Sequence, residues 1–146
     1  MLGVNTYTQS YIDDCRARVA AQLAAYNNLL AVSQEVAGAA QSRVSEAFSS
    51  FEPHFFNNMV LTLDSYFTHR LRGKEGKDGN ALNEVRMLAA SLLENDGVMA
   101  RDNTIKYDPG KSISGIGIGQ KIVIDRKRFE ALADGFFDQI AEKFAG

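Results

Sequence analysis

The sequence predicts a helix-dominant α+β fold in a single α-rich domain over residues 1–146. The expected architecture is a long N-terminal helix packed with two further helices, a small antiparallel β-hairpin and a C-terminal helix. Three observations carry this reading. Apolar residues recur at steps of three and four through most of the chain, the period of a helix with one buried face. Between Thr104 and Ile124 the period drops to two, punctuated by glycine and proline, as in short paired strands. The 146 residues, 45% hydrophobic and 23% charged, have the size and balance of one ordinary globular domain.

The first helix is expected from Ser10 to about Phe48, with Ile12, Cys15, Val19, Leu23, Tyr26, Leu29, Leu30, Val36, Ala40, Val44 and Ala47 on its apolar stripe. Ser10 and Asp13 have the spacing of a capping box, and the many alanines favour helix. Such a helix runs about 60 Å, against about 38 Å for a compact domain of this length. Either it breaks near Gly38 or its end packs on a second copy of the chain, and the second solution is the one expected. Ser49, Ser50, Glu52 and Pro53 read as a junction, since proline suits a first helical turn. A second helix then carries Phe55, Phe56, Met59, Val60, Leu63, Tyr66, Phe67 and Leu71 inward and stops near Arg72 and Gly73. Gly73 to Asn80 contains no apolar residue and reads as an exposed loop.

The third helix is expected from about Ala81 to Glu94, ended by Asn95, Asp96 and Gly97 with glycine in the left-handed cap. Thr104–Tyr107, Ile113–Ile118 and Lys121–Ile124 are the expected strands, with a turn at Asp108, Pro109 and Gly110. Asp125 caps the last helix, whose face is Phe129, Leu132, Ala133, Phe136, Phe137, Ile140 and Phe144.

Charge and cysteine content narrow the chemistry. Sixteen Lys and Arg against eighteen Asp and Glu give a net charge of −2, so the surface as a whole is not the cationic field of a bulk nucleic-acid binder. Any anion site must be local. One Cys, Cys15, on the apolar stripe, reads as a small buried hydrophobe, and with two His it cannot close a zinc site unaided. No metal and no cofactor are expected. No stretch approaches the about 18 apolar residues of a membrane span, and Met1 to Ser10 lack a basic start and an apolar run, so a cytoplasmic location is expected.

Two basic clusters stand out. His69, Arg70, Arg72, Lys74, Glu75, Lys77, Asn80 and Arg86 surround the glycine-rich loop, where backbone N–H groups, a helix start and full positive charges can meet a phosphate or carboxylate. Arg126, Lys127 and Arg128 occupy the first turn of the last helix, where positive charge opposes the helix dipole; they read as a contact for an anion or an acidic partner, or as a triplet offset by Asp125 and nearby carboxylates that only repels aggregation. Gly73, Lys74, Glu75 and Gly76 between two helices resemble the GXXG loop by which KH domains clamp a nucleic-acid backbone. Residues 80 to 146, as helix, hairpin and helix opening on a basic cluster, resemble the back half of winged-helix regulators of the MarR type. Both resemblances imply nucleic-acid binding.

The function expected first is a non-enzymatic, homo-oligomeric (dimeric) interaction or ligand-binding protein that presents the basic loop to an anionic small molecule or partner. The alternatives are a small enzyme acting on a phosphorylated or carboxylated metabolite, with His69 or Glu75 as acid/base, and a winged-helix-like nucleic-acid binder. The net charge makes nucleic acid the less expected partner.

Overall fold

The computed structural model describes residues 3–146. It contains five α-helices: α1 (Gln9–Ser33), α2 (Ala40–Ser65), α3 (Arg72–Glu75), α4 (Ala81–Glu94) and α5 (Arg126–Phe144), with one 3-10 turn at Pro109–Lys111. Among the described residues there is no β-strand, only four isolated bridges, so the fold is helical and the expected hairpin and α+β class are corrected.

α4 and α5 form the centre. Nine of the fourteen α4 residues are buried, because the helix is covered by α2, by α5 and by the irregular chain after it. α5 buries all seven apolar residues of its expected face. The two helices approach closely at Gly135, where a β-carbon would stand 3.2 Å from Ala81 Cβ and 2.8 Å from Ile113 Cδ1. Asn80 and Asp125 cap the two helices, accepting hydrogen bonds from the Asn83 and Arg128 N–H groups, as side chains of this type do at helix starts.

The long first helix is a helical hairpin. Thr8, not Ser10, caps α1. The chain leaves the helix after Ser33, turns with Gly38 at φ +79°, and returns as α2. This fold-back removes the length excess that favoured packing on a second copy. The junction expected at Ser49–Pro53 lies inside α2. Pro53 withholds one N–H from the Ser49 carbonyl, but Ser49 is exposed, so that oxygen is open to solvent and the helix continues. α2 ends at Ser65, earlier than expected, and His69 takes the left-handed conformation (φ 61°) as the chain turns toward α3.

Residues 95–125 show why the hairpin is missing. Ile105, Ile116, Ile122 and Ile124 are buried and their neighbours Lys106, Gly117 and Val123 are not, so the period-two pattern is real. Backbone pairing is limited to a short antiparallel contact, with Met99 bonded to Gln120 and Gly119 and Ile122 N–H to the Gly97 carbonyl, and other backbone groups bond to side chains, so no strand forms. Glu84 accepts from the N–H groups of Ile113 (2.9 Å) and Ser114 (2.8 Å), and Asn57 spans the Ile122 carbonyl and the Ile124 N–H, both at 3.2 Å. Ser91 Oγ accepts from Ala100 N–H, and the Tyr107 hydroxyl donates to the Ile116 carbonyl.

Among the described residues no helix is long and apolar enough to cross a membrane.

Candidate functional site

The loop after α2 is exposed at Gly73, Lys74, Lys77 and Asp78, as expected, but Glu75 turns inward from it into a buried ionic hub. α3 is a single turn that carries Glu75 into the interior, fully buried. Three arginines from different parts of the chain close on its carboxylate: Arg70 Nε at 2.9 Å, Arg72 Nη1 at 3.1 Å and Arg86 Nη2 at 2.6 Å. Arg70 is itself buried, reaches Asp64 at 3.2 Å, donates to the Phe67 carbonyl and lies 5.2 Å above the Phe136 ring. Burial alone pushes the Glu75 carboxyl up, but the charges of Arg70 and Arg86, with their hydrogen bonds, outweigh it and hold it below its ordinary value.

Further polar and charged side chains complete the hub. Arg72 also donates to Asn83 Oδ1 and to Thr104 Oγ1, both at 3.0 Å. Thr104 in turn donates to Asp102, and its hydroxyl and N–H hold the Asp102 carboxyl below the usual carboxylate range. Asn80, Asn83 and Lys143 take the loop carbonyls: Asn80 and Lys143 that of Glu75, Asn83 those of Gly76 and Asp78. The hub therefore ties the end of α2 to α3, α4, α5 and the segment around Thr104.

The structure brings together five of the eight residues expected at the loop: Arg70, Arg72, Glu75, Asn80 and Arg86. His69 is exposed on the turn beyond α2, not on that helix, and its carbonyl accepts from Val4 N–H at 2.7 Å. Lys74 is turned to the Asn5 carbonyl at 2.6 Å, and the Lys77 side chain is exposed while its carbonyl receives Lys106 N–H. The Gly73–Gly76 segment that resembles a GXXG loop is the α3 turn itself, with Glu75 pointing inward. The wing of the second resemblance has no strands among the described residues.

At the start of α5, two carboxylates offset the basic triplet. Asp125 caps Arg128 N–H at 2.8 Å, and Glu52 of α2 accepts from Arg126 N–H at 3.1 Å. The Arg126 guanidinium reaches Glu130 at 3.5 Å and that of Arg128 donates to the Val123 carbonyl, leaving Lys127 exposed without an ion pair among the described residues. The residues missed from the sequence are Asn57, Asn83 and Ser114, while Glu84, which flanks the loop in the sequence, serves the chain at Ile113 and Ser114 instead. The one legible signal for the missed residues was a polar side chain on an otherwise apolar helix face, visible for Asn57.

The most unusual surface lies elsewhere. From Asn27 to Phe55 no residue is buried: the distal half of α1 and the first half of α2 form an arm that stands off the core. Leu30, Val44 and Phe48, half-buried, line the cleft between its two helices, and Tyr26 joins it to the core by stacking against Phe55, with Phe48 and Phe56 edge-on. The Tyr26 hydroxyl is buried beside Glu52; burial first, then that carboxylate, pushes its pKa above the ordinary tyrosine value. Outward from this joint stand Leu29 (55% exposed), Val32 (54%), Val36 and Phe51 (46%). From Val19 to Phe51 the 33 residues include only three charges: Glu35, Arg43 and Glu46.

Among the described residues no group of three or more His, Cys, Asp and Glu is placed to hold a metal ion. No protein-family model, curated protein or solved structure matches the chain.

Proposed function

We propose that this chain is a non-enzymatic interaction protein, with the α4–α5 core as a rigid base and the α1–α2 arm as its working surface. The observation that carries the reading is the arm itself: two solvent-exposed helices that present leucine, valine and phenylalanine and almost no charge. Exposed helices ordinarily carry charge on the face away from the core, and contiguous exposed apolar surface marks a contact site. The buried hub supports the same division of labour, because its arginines are engaged with an internal anion and fix the base on which the arm is mounted.

The test separates surface from core. Leu29→Gln, Val32→Gln and Phe51→Gln together remove the apolar face. The expected result is an unchanged helical circular-dichroism signal and melting temperature, with loss of the binding of an anilinonaphthalene sulfonate dye that the native wild type shows. A variant that unfolds assigns these residues to the core, and a wild type that binds no dye when diluted to single chains leaves the arm without a sticky face; either result overturns the reading.

One observation favours a second reading, the small enzyme or sensor for a phosphorylated or carboxylated metabolite. Arg70 Nη2 and Arg86 Nε are buried without a hydrogen-bond partner, so the hub holds donor capacity that Glu75 and Asp64 do not use. Inorganic phosphate and a panel of carboxylates that leave the melting temperature unchanged remove this reading.

A further inference from the structure

We infer that the occupant of the arm is a second copy of this chain, packed arm against arm in a two-fold contact; the inference rests on the reading of the arm as the working surface. The face is self-complementary. Leu29 and Phe51 form a ridge, and on either side of it lie open grooves, one of about 390 Å³ lined by Leu29, Ala47, Phe48 and Phe51. The other, of about 320 Å³, runs between Gln22, Ala25, Tyr26, Leu29, Phe51 and Phe55. A ridge beside a groove of the same chemistry is what an isologous contact requires, since each copy must supply both the projection and the recess, as in ridges-into-grooves helix packing.

The other occupants fit less well. Small-molecule sites combine apolar walls with a few placed polar groups, and the first groove has no polar side chain at all. A helix that lies on a lipid surface needs a basic flank, and the arm has one cation, Arg43. A strongly charged partner finds nothing to pair with. For a second copy the sparse charges are suitable: Glu35 and Glu46 meet a surface that offers Arg43, and repulsion is small.

Size sets the strength. From Ala40 to Phe55 the arm's half of α2 rises about 24 Å, and two helices side by side are about 20 Å wide. That footprint is on the order of 500 Å² per copy and about 1,000 Å² for the pair, at the lower edge of specific interfaces. A reversible dimer with a dissociation constant in the micromolar range follows, and not an obligate one.

The deciding experiment is sedimentation equilibrium with native mass spectrometry of the full chain from about 1 to about 200 µM. The expected result is a mass that rises with concentration from the 16.0 kDa of one chain toward twice that value. Phe51→Glu should raise the midpoint at least about tenfold, whereas Phe51→Leu, which keeps an apolar ridge, should stay within about threefold of wild type. A wild type that stays at one chain mass throughout, or a Phe51→Glu variant that assembles like wild type, overturns the inference. Dye binding in the same samples separates the two levels. A monomer whose dye binding is lost in Phe51→Glu overturns the second copy as occupant and leaves the arm to a different protein, while a monomer that binds no dye sinks the arm reading as well.

Discussion

Glu75 is the anion on which Arg70, Arg72 and Arg86 converge, and its neighbour Arg70 has a side chain only 2% exposed. Replacing Glu75 by Gln keeps the shape and removes the charge, leaving a buried guanidinium with Asp64 alone. Breaking a buried pair this way costs about 3–5 kcal/mol, a large part of the about 5–15 kcal/mol of a typical domain. Arg86→Gln, at a partly exposed partner, should cost less and keep the protein folded. The pH dependence follows from the direction of the shift. The folded-state value lies below the ordinary glutamate value of 4.5, so the stabilisation is complete above that pH and is lost as pH falls through the lower folded value. Urea unfolding of wild type should therefore show stability falling below about pH 4.5, and Glu75→Gln, less stable at neutral pH, should show a shallower fall there. Equal slopes for the two proteins would falsify the assignment of Glu75 as the acid-sensitive group.

At the scale of elements, the irregular chain from Asn95 to Asp125 pairs briefly with itself, at Gly97 and Met99 against Gly119, Gln120 and Ile122, and takes further backbone hydrogen bonds from helix side chains. Glu84 is the clearest: it serves the N–H groups of Ile113 and Ser114 and the Ser114 hydroxyl, all from a fully buried position. Glu84→Ala leaves two amides short of an acceptor, at about 1–3 kcal/mol for each that water does not reach. The expected result is a loss of about 2–4 kcal/mol in denaturant unfolding, with faster amide exchange confined to residues around 105–124. If α5 exchanged faster to the same extent, the effect would belong to the core and not to this tether. The same tethering explains why the α4 and α5 boundaries were legible while the hairpin was not. Helix caps such as Asn80 and Asp125 are local, three residues from their partners, whereas Glu84 and Ser114 are 30 residues apart.

Over the whole molecule, an extended N-terminal strap closes the core. Val4 pairs with His69 and Leu71, Tyr7 with Phe144 and Gly146, and the Tyr7 ring stands edge-on to Phe67 at 4.9 Å. Tyr7→Ala should cost about 2 kcal/mol of packing, which for a chain of this size lowers the melting temperature by about 5–8 °C; calorimetry checks it, and an unchanged transition would mean that the strap is not part of the cooperative unit. The arm is the opposite case. With no buried residue from Asn27 to Phe55, it should open at lower free energy than α4 and α5 and exchange its amides faster. Self-association would slow that exchange as protein concentration rises.

The sequence by itself determined the helices with local signals: α4, α5, their caps, and the buried stripe of Ile12, Cys15 and Val19. It also determined that the arm is poor in charge. The tertiary structure alone decided three things. Helical periodicity runs on both sides of Gly38 and looks the same whether a helix continues or doubles back, so the break depended on which faces bury one another. Period two reports an extended backbone with one buried face and says nothing of what satisfies its amides, so a predicted hairpin became a segment held by Glu84 and Asn57. A cluster of arginines reads the same whether it faces solvent or an internal carboxylate, and only the inward turn of α3 set Glu75 among them. Each is a question of which distant group supplies the partner, and pairwise contacts over long separations leave no periodic trace in one chain.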